Sequence, residues 1–180
     1  ESGKAGYDAY NRGACSDCES LGTEVFRNTY AGKSLSELTI DQVINQVQKG
    51  NKLNGKSAFA VGKYQMVPRT LREAIQNIKG VDTNELFGKN QQEALGAYLV
   101  LMKRPTLGKY LLGTRGITSG EAQTAMSQEW AGIRIIEATT RPKSRRWLKR
   151  VLKPGESYYS GVGSNPANIK IKSAEKTAKA

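Results

Sequence analysis

The clearest periodic signal in the chain lies in "LTIDQVINQVQKG". Ile40, Val43, Ile44 and Val47 recur at helical spacing there, Thr39 with Gln42 forms a capping-box signature, and Gly50 stops the run. The pattern predicts an amphipathic helix. A second helix is predicted from Pro68 at the first helical position, with Leu71, Ala74, Ile75 and Ile78 along one face and an end near Gly80. "NQQEALGAYLVLMKRP" predicts a third, with Leu95, Tyr98, Leu99 and Met102 inward and Pro105 beyond its end. "SGEAQTAMSQEWAG" predicts a fourth, whose stripe of Ala122, Ala125, Met126 and Trp130 reads first as core. Between these, residues 1–33 are rich in Gly, Asn, Ser and Tyr and read as loop with short strands, and 51–62 as loop or hairpin. After the turn-rich "PGESYYSGVGSNP" a last helix is expected from Pro166 or Ala167. No internal repeat is evident.

A chain of 180 residues with 38% hydrophobic and 24% charged residues fits one soluble domain with a real core. No apolar run approaches the roughly 18 residues needed to cross a bilayer, and the first residues form neither a basic segment nor an apolar signal core. The formal net charge of +12 favours polyanions such as nucleic acid, anionic lipid or bacterial cell wall, without choosing among them. The absence of histidine narrows the chemistry further: it removes Ser-His-Asp and Cys-His nucleophiles and every imidazole metal site. Cys15 and Cys18, in "CSDC", supply only two of the four ligands that structural zinc wants. A local disulfide or two plain thiols fits them better.

Residues 141–153, "RPKSRRWLKRVLK", hold seven basic side chains with Trp147, Leu148, Val151 and Leu152 among them. Such a run is commonly a solvated helix face. Interleaved aromatic and basic groups also bind polyanions or a membrane surface.

Four segments taken in order, "ESGKAGYDAYNRG", "AVGKYQMVPRTL", "SQEWAGI" and "SYYSGVGSN", resemble the lysozyme-like muramidases of bacteriophages. The likeness is nearest to the lambda-type endolysin group of lytic transglycosylases and to related virion-associated peptidoglycan-degrading domains. It covers most of the chain and implies a single lysozyme-like domain over 1–180, α+β and mostly α, with a small β or loop lobe and an interlobe cleft. It further implies that Glu1 is the catalytic glutamate and that Gly62, Lys63, Tyr64 and Gln65 line the substrate cleft. Trp130, with Ala131, matches a late "W-A" element and joins the substrate-binding set. No metal or cofactor is implied. The partner would be bacterial peptidoglycan, together with other virion or tail proteins, and the setting the phage virion or the host periplasm and cell wall.

The residues suit that chemistry. Cleaving the β-1,4 bond between N-acetylmuramic acid and N-acetylglucosamine requires protonating a leaving oxygen, which a glutamate in a partly apolar cleft can do near neutral pH. Two-carboxylate glycosidases need a second carboxyl group at a set separation. A transglycosylase lets the muramic acid 6-hydroxyl attack instead, so Glu1 alone suffices. Asp8, Asp17, Glu19 and Glu24 read as solvated or capping groups. Lys63, standing where the family more often has arginine, keeps the charge but loses the planar fork. The helix that would precede Glu1 in the family is absent from the sequence, which points to a chain excised from a longer polypeptide. The alternative function is a non-catalytic wall-binding or tail-assembly module with the same fold. A nucleic-acid binder finds support in the charge but lacks a recognised motif. The 141–153 segment reads as an insertion for docking or wall adhesion.

Overall fold

A computed structural model of the chain describes residues 3–11, 32–48, 58–144 and 147–162. The architecture is α+β and mostly helical, with two small two-stranded antiparallel sheets among the described residues. Within the stretch expected to form one domain, the chain divides into two compact units, Glu1–Tyr98 and Leu99–Ala180.

The first unit opens with a 3₁₀ segment, Gly3–Asp8, kinked at Gly6. Strand β1 (Tyr10–Asn11) comes next and pairs antiparallel with β2 (Ala60–Val61), matching Tyr10 to Val61 and Asn11 to Ala60. After the 3₁₀ turn Leu35–Glu37, helix α1 starts at Ile40–Gln42 and continues as the π-helical turn Val43–Val47. The predicted capping box is formed: Gln42 N donates to Thr39 Oγ1 at 3.2 Å, and Thr39 N donates to Gln42 Oε1 at 2.9 Å. Ile40, Val43, Ile44 and Val47 are all buried, as their spacing predicts.

Helix α2 spans Pro68–Asn77 with Pro68 in its first turn, where a missing N–H costs nothing. Leu71 and Ala74 are fully buried, whereas Ile75 and Ile78 are half-buried and the helix stops short of Gly80. Phe87 N donates to Leu38 O, which joins the segment ahead of helix α3 (Lys89–Tyr98) to the start of α1. Leu95 and Tyr98 of α3 face the core as expected.

The second unit begins with a π-helical turn, Leu99–Lys103, in which Arg104 N reaches back to Leu99 O. A π turn carries one residue more than an α turn, which rotates the succeeding residues by about 100°. Leu99 therefore stays buried while Met102, expected inward, is 61% exposed. Pro105, expected to lie beyond a helix, instead opens a further one, α4 (Pro105–Leu111), which the sequence pattern did not reveal. Gly108 lets α4 lie against the π turn, since a Cβ there would stand 2.9 Å from Leu101 Cα.

Helix α5 (Ser119–Glu129) is capped by Thr118, with Glu121 completing a capping box. Its Ala122 and Ala125 form a core cluster with Leu107, against which Met126 and Trp130 pack part-buried. The stripe is core, as its spacing suggests.

The basic segment is corrected. Among the described residues of 141–153 there is no helix: β3 (Thr139–Arg141) and β4 (Arg150–Leu152) pair as an antiparallel hairpin. β-Branched Thr139, Thr140 and Val151 favour strand, and Pro142 ends β3. Arg141 is buried, its Nη1 donating to the carbonyls of Tyr158 and Ser160. The predicted C-terminal helix and the cysteine pair lie outside the described residues.

Candidate functional site

The "GKYQ" element is a four-residue turn closed by a two-way bridge between Val61 and Met66, with N–O distances of 3.1 and 2.9 Å. Gly62 takes φ 75° and Gln65 φ 50°. Gly62 is held on both sides. Its N–H donates to Ala9 O at 2.7 Å, and a Cβ in its place would stand 2.4 Å from Gln92 Oε1 and 3.0 Å from the Phe87 ring. Only a glycine fits both the dihedral and the space.

Gln92, buried in α3, supports the turn from beneath. Its Oε1 accepts from Lys63 N at 2.8 Å, while its Nε2 donates to Tyr7 O at 3.0 Å and Phe87 O at 2.7 Å. One carboxamide thus joins the turn, the Gly3–Asp8 segment and the stretch ahead of α3. Gln65 bends back on its own turn, its Nε2 donating to Gly62 O at 2.8 Å. Its Oε1 is buried without a partner among the described residues. Gln65 therefore closes the turn and does not present its amide outward, which differs from the expected sugar contact.

Lys63 and Tyr64 converge on Glu93. The carboxylate accepts from Tyr7 OH at 2.5 Å, Lys63 Nζ at 2.6 Å and Tyr64 OH at 2.5 Å. Lys63 Nζ lies 5.3 Å from the ring centroids of both Tyr7 and Tyr64, a cation flanked by two aromatic faces. The Tyr64 ring rests on α3 at Gly96, where an added Cβ would come within 2.4 Å of ring carbons. The result is a half-exposed surface of two phenol rings and an ammonium group.

Electrostatics sharpen the roles. Hydrogen bonds from Lys63, Tyr64 and Tyr7 hold the Glu93 carboxyl at about 2. The Lys63 ammonium is raised, first by its hydrogen bond to Glu93. The Tyr7 hydroxyl is raised, first by its hydrogen bond to Glu93. Tyr64 is raised by burial and then by Glu93. Glu93 is consequently an ionised anchor and a weak base, unfit to store a proton near neutral pH.

This lowering sets the sign of a pH effect. A carboxylate lowered from 4.5 contributes stability that is complete above that value and is lost as pH falls towards 2. We expect the carboxyl carbon of Glu93 to titrate near 2 by NMR, with unfolding midpoints falling over the same window. Glu93→Gln should flatten that part of the profile, and added salt should weaken it, because the pair is only half-buried. A Glu93 midpoint in the ordinary carboxylate range would contradict the assignment.

Glu1, Asp17, Glu19 and Glu24 lie outside the described residues. Asp8 caps, its Oδ1 accepting from Ser36 N at 2.8 Å. Trp130 sits in the second unit at the end of α5, part of that unit's core cluster, and Ala131 O accepts from Ser157 Oγ at 2.7 Å. Among the described residues no group of three or more acidic, cysteine or histidine side chains is placed to hold a metal ion.

Sequence reasoning missed Tyr7, Gln92 and Glu93. The available signal was the helical spacing of Gln92, Glu93 and Gly96, polar and small residues next to the apolar stripe of "NQQEALGAY". No family model, curated protein or solved structure matches the chain.

Proposed function

We propose that this chain is a peptidoglycan-cleaving muramidase of lysozyme-like fold, acting on the β-1,4 bond between N-acetylmuramic acid and N-acetylglucosamine by the lytic transglycosylase route. The observation that carries the reading is the joining of the first two family-like segments. The stretch just after Glu1 in sequence is fastened to the "GKYQ" turn by Tyr10 pairing with Val61, by Gly62 N on Ala9 O, and by Tyr7 and Lys63 on one carboxylate.

In this reading Tyr7 and Tyr64 offer ring faces to sugar C–H groups and Lys63 a polar contact, while Gly62 and Gln65 shape the turn. Glu1 donates a proton to the leaving N-acetylglucosamine oxygen. The muramic acid 6-hydroxyl then attacks C1, and the Glu1 carboxylate takes the hydroxyl proton, which restores the acid and leaves a 1,6-anhydro end. The state of Glu93 favours this single-glutamate route: a carboxylate held at about 2 and engaged by three donors is a poor base for activating water.

Digestion of purified peptidoglycan with mass analysis of the fragments tests the proposal. We expect 1,6-anhydromuropeptides. Reducing ends would indicate hydrolysis instead, and wall binding without any fragments would favour the non-catalytic module.

A further inference from the structure

The β3–β4 hairpin displays a combination of groups that its own packing does not use. Trp147 is drawn inward: its Nε1 donates to Pro142 O at 3.1 Å, the Arg141 guanidinium lies 5.5 Å from its ring centroid, and its ring makes a T-shaped contact with Tyr159, centroids 5.9 Å apart. Leu152 is fully buried with Ile135 and Tyr158. The neighbours of these two anchors are left outside. Leu148 is 76% exposed and Val151 65% exposed.

The pairing register explains Val151. Thr140 and Val151 stand opposite each other and share the outward face, while Leu152, opposite Thr139, points in. Lys149 and Lys153 flank β4 on either side of Val151, and both are exposed, as is Lys143. Arg150 is engaged with Glu156 at 2.5 Å. From Ala138 to Gly155 the sequence contains no acidic residue.

We propose that this hairpin is a docking surface for an anionic lipid bilayer, with Leu148 and Val151 entering the headgroup region and Lys143, Lys149 and Lys153 meeting lipid phosphates. The charge alone would suit any polyanion. Two bare aliphatic side chains among lysines are what a soluble polyanion does not require and what a lipid interface rewards, because interfacial binding grows with buried apolar area as well as with charge. The inference is independent of the muramidase reading.

The test uses the full chain and two vesicle types, phosphatidylcholine alone and phosphatidylcholine with phosphatidylglycerol, in co-sedimentation at physiological salt. Binding is expected only to the anionic vesicles. L148S/V151S, which leaves every charge in place, should weaken it at least about tenfold. The triple variant K143Q/K149Q/K153Q should abolish the preference for phosphatidylglycerol. Both aliphatic side chains are exposed, so thermal midpoints should stay put. Hydrogen exchange on the wild-type chain provides a readout that needs no variant, with protection expected at 148–151 on vesicle binding. Several outcomes overturn the proposal. They are absence of binding to anionic vesicles, undiminished binding by L148S/V151S, and protection confined to the exposed leucines Leu101, Leu111 and Leu112. Equal affinity of wild type and L148S/V151S for both DNA and vesicles would mark the surface as a plain polyanion site.

Discussion

Glu1→Gln is expected to lower the release of muropeptides from purified peptidoglycan by at least about a hundredfold, the usual scale for removing a general acid–base group. The amide keeps the size and polarity of the side chain but carries no proton that can be given to a leaving oxygen. Glu1→Ala should lose as much. Neither change touches the bonds that organise the described part of the site, since those run from Tyr7, Ala9 and Tyr10 to Glu93, Gly62 and Val61. Unfolding midpoints should therefore match the parent protein, and binding to intact walls should persist. That separation matters because loss of activity together with loss of fold would say nothing about chemistry. Undiminished fragment release by both variants would remove Glu1 from the mechanism. Glu93 would be a poor substitute, since its three donors hold it ionised far below neutral pH.

The helices that carry regular apolar spacing were readable from the sequence because a buried face imposes a period. Thr39 and Gln42 announced the start of α1, and Ile40, Val43, Ile44 and Val47 its buried side. Pro68 likewise marked α2. Failures occurred where the period is broken. The π turn at Leu99–Lys103 carried Met102 out to solvent, and Pro105 opens α4 where a stop was expected. The basic segment misled for a related reason: Trp147, Leu148, Val151 and Leu152 satisfy a helical spacing by coincidence, while β-branched residues and Pro142 decide for a hairpin. Of the site, the turn was legible because glycine and proline punctuate it. Its partners on α3 were not, because Gln92 and Glu93 act across 29 and 30 residues of chain through polar side chains that no hydropathy pattern registers. Gln65 shows the limit of reading a role from residue type, since its amide serves its own turn.

Gly62→Ala should destabilise the first unit by about 3 kcal/mol, adding left-handed backbone strain to overpacking. The φ of 75° accounts for one part of this. The larger part arises because the new methyl group would stand 2.4 Å from Gln92 Oε1, an atom that cannot yield cheaply. Gln92 is nearly fully buried and its other end is held by the Tyr7 and Phe87 carbonyls, so moving Oε1 strains three segments at once. Gly80→Ala is the matched control. Its φ is 81° and nothing lies within 4 Å of the added Cβ, so only the backbone strain remains, about 1 kcal/mol. Both positions belong to the same unit, and urea unfolding can compare them on one transition. Muropeptide release should fall in Gly62→Ala even where the protein is folded, because displacing Gln92 removes the acceptor for Lys63 N and loosens the path by which Lys63 reaches Glu93. If the two alanine variants cost the same, the turn is not packed on Gln92, and the join between the segment after Glu1 and the "GKYQ" turn loses its firmest point.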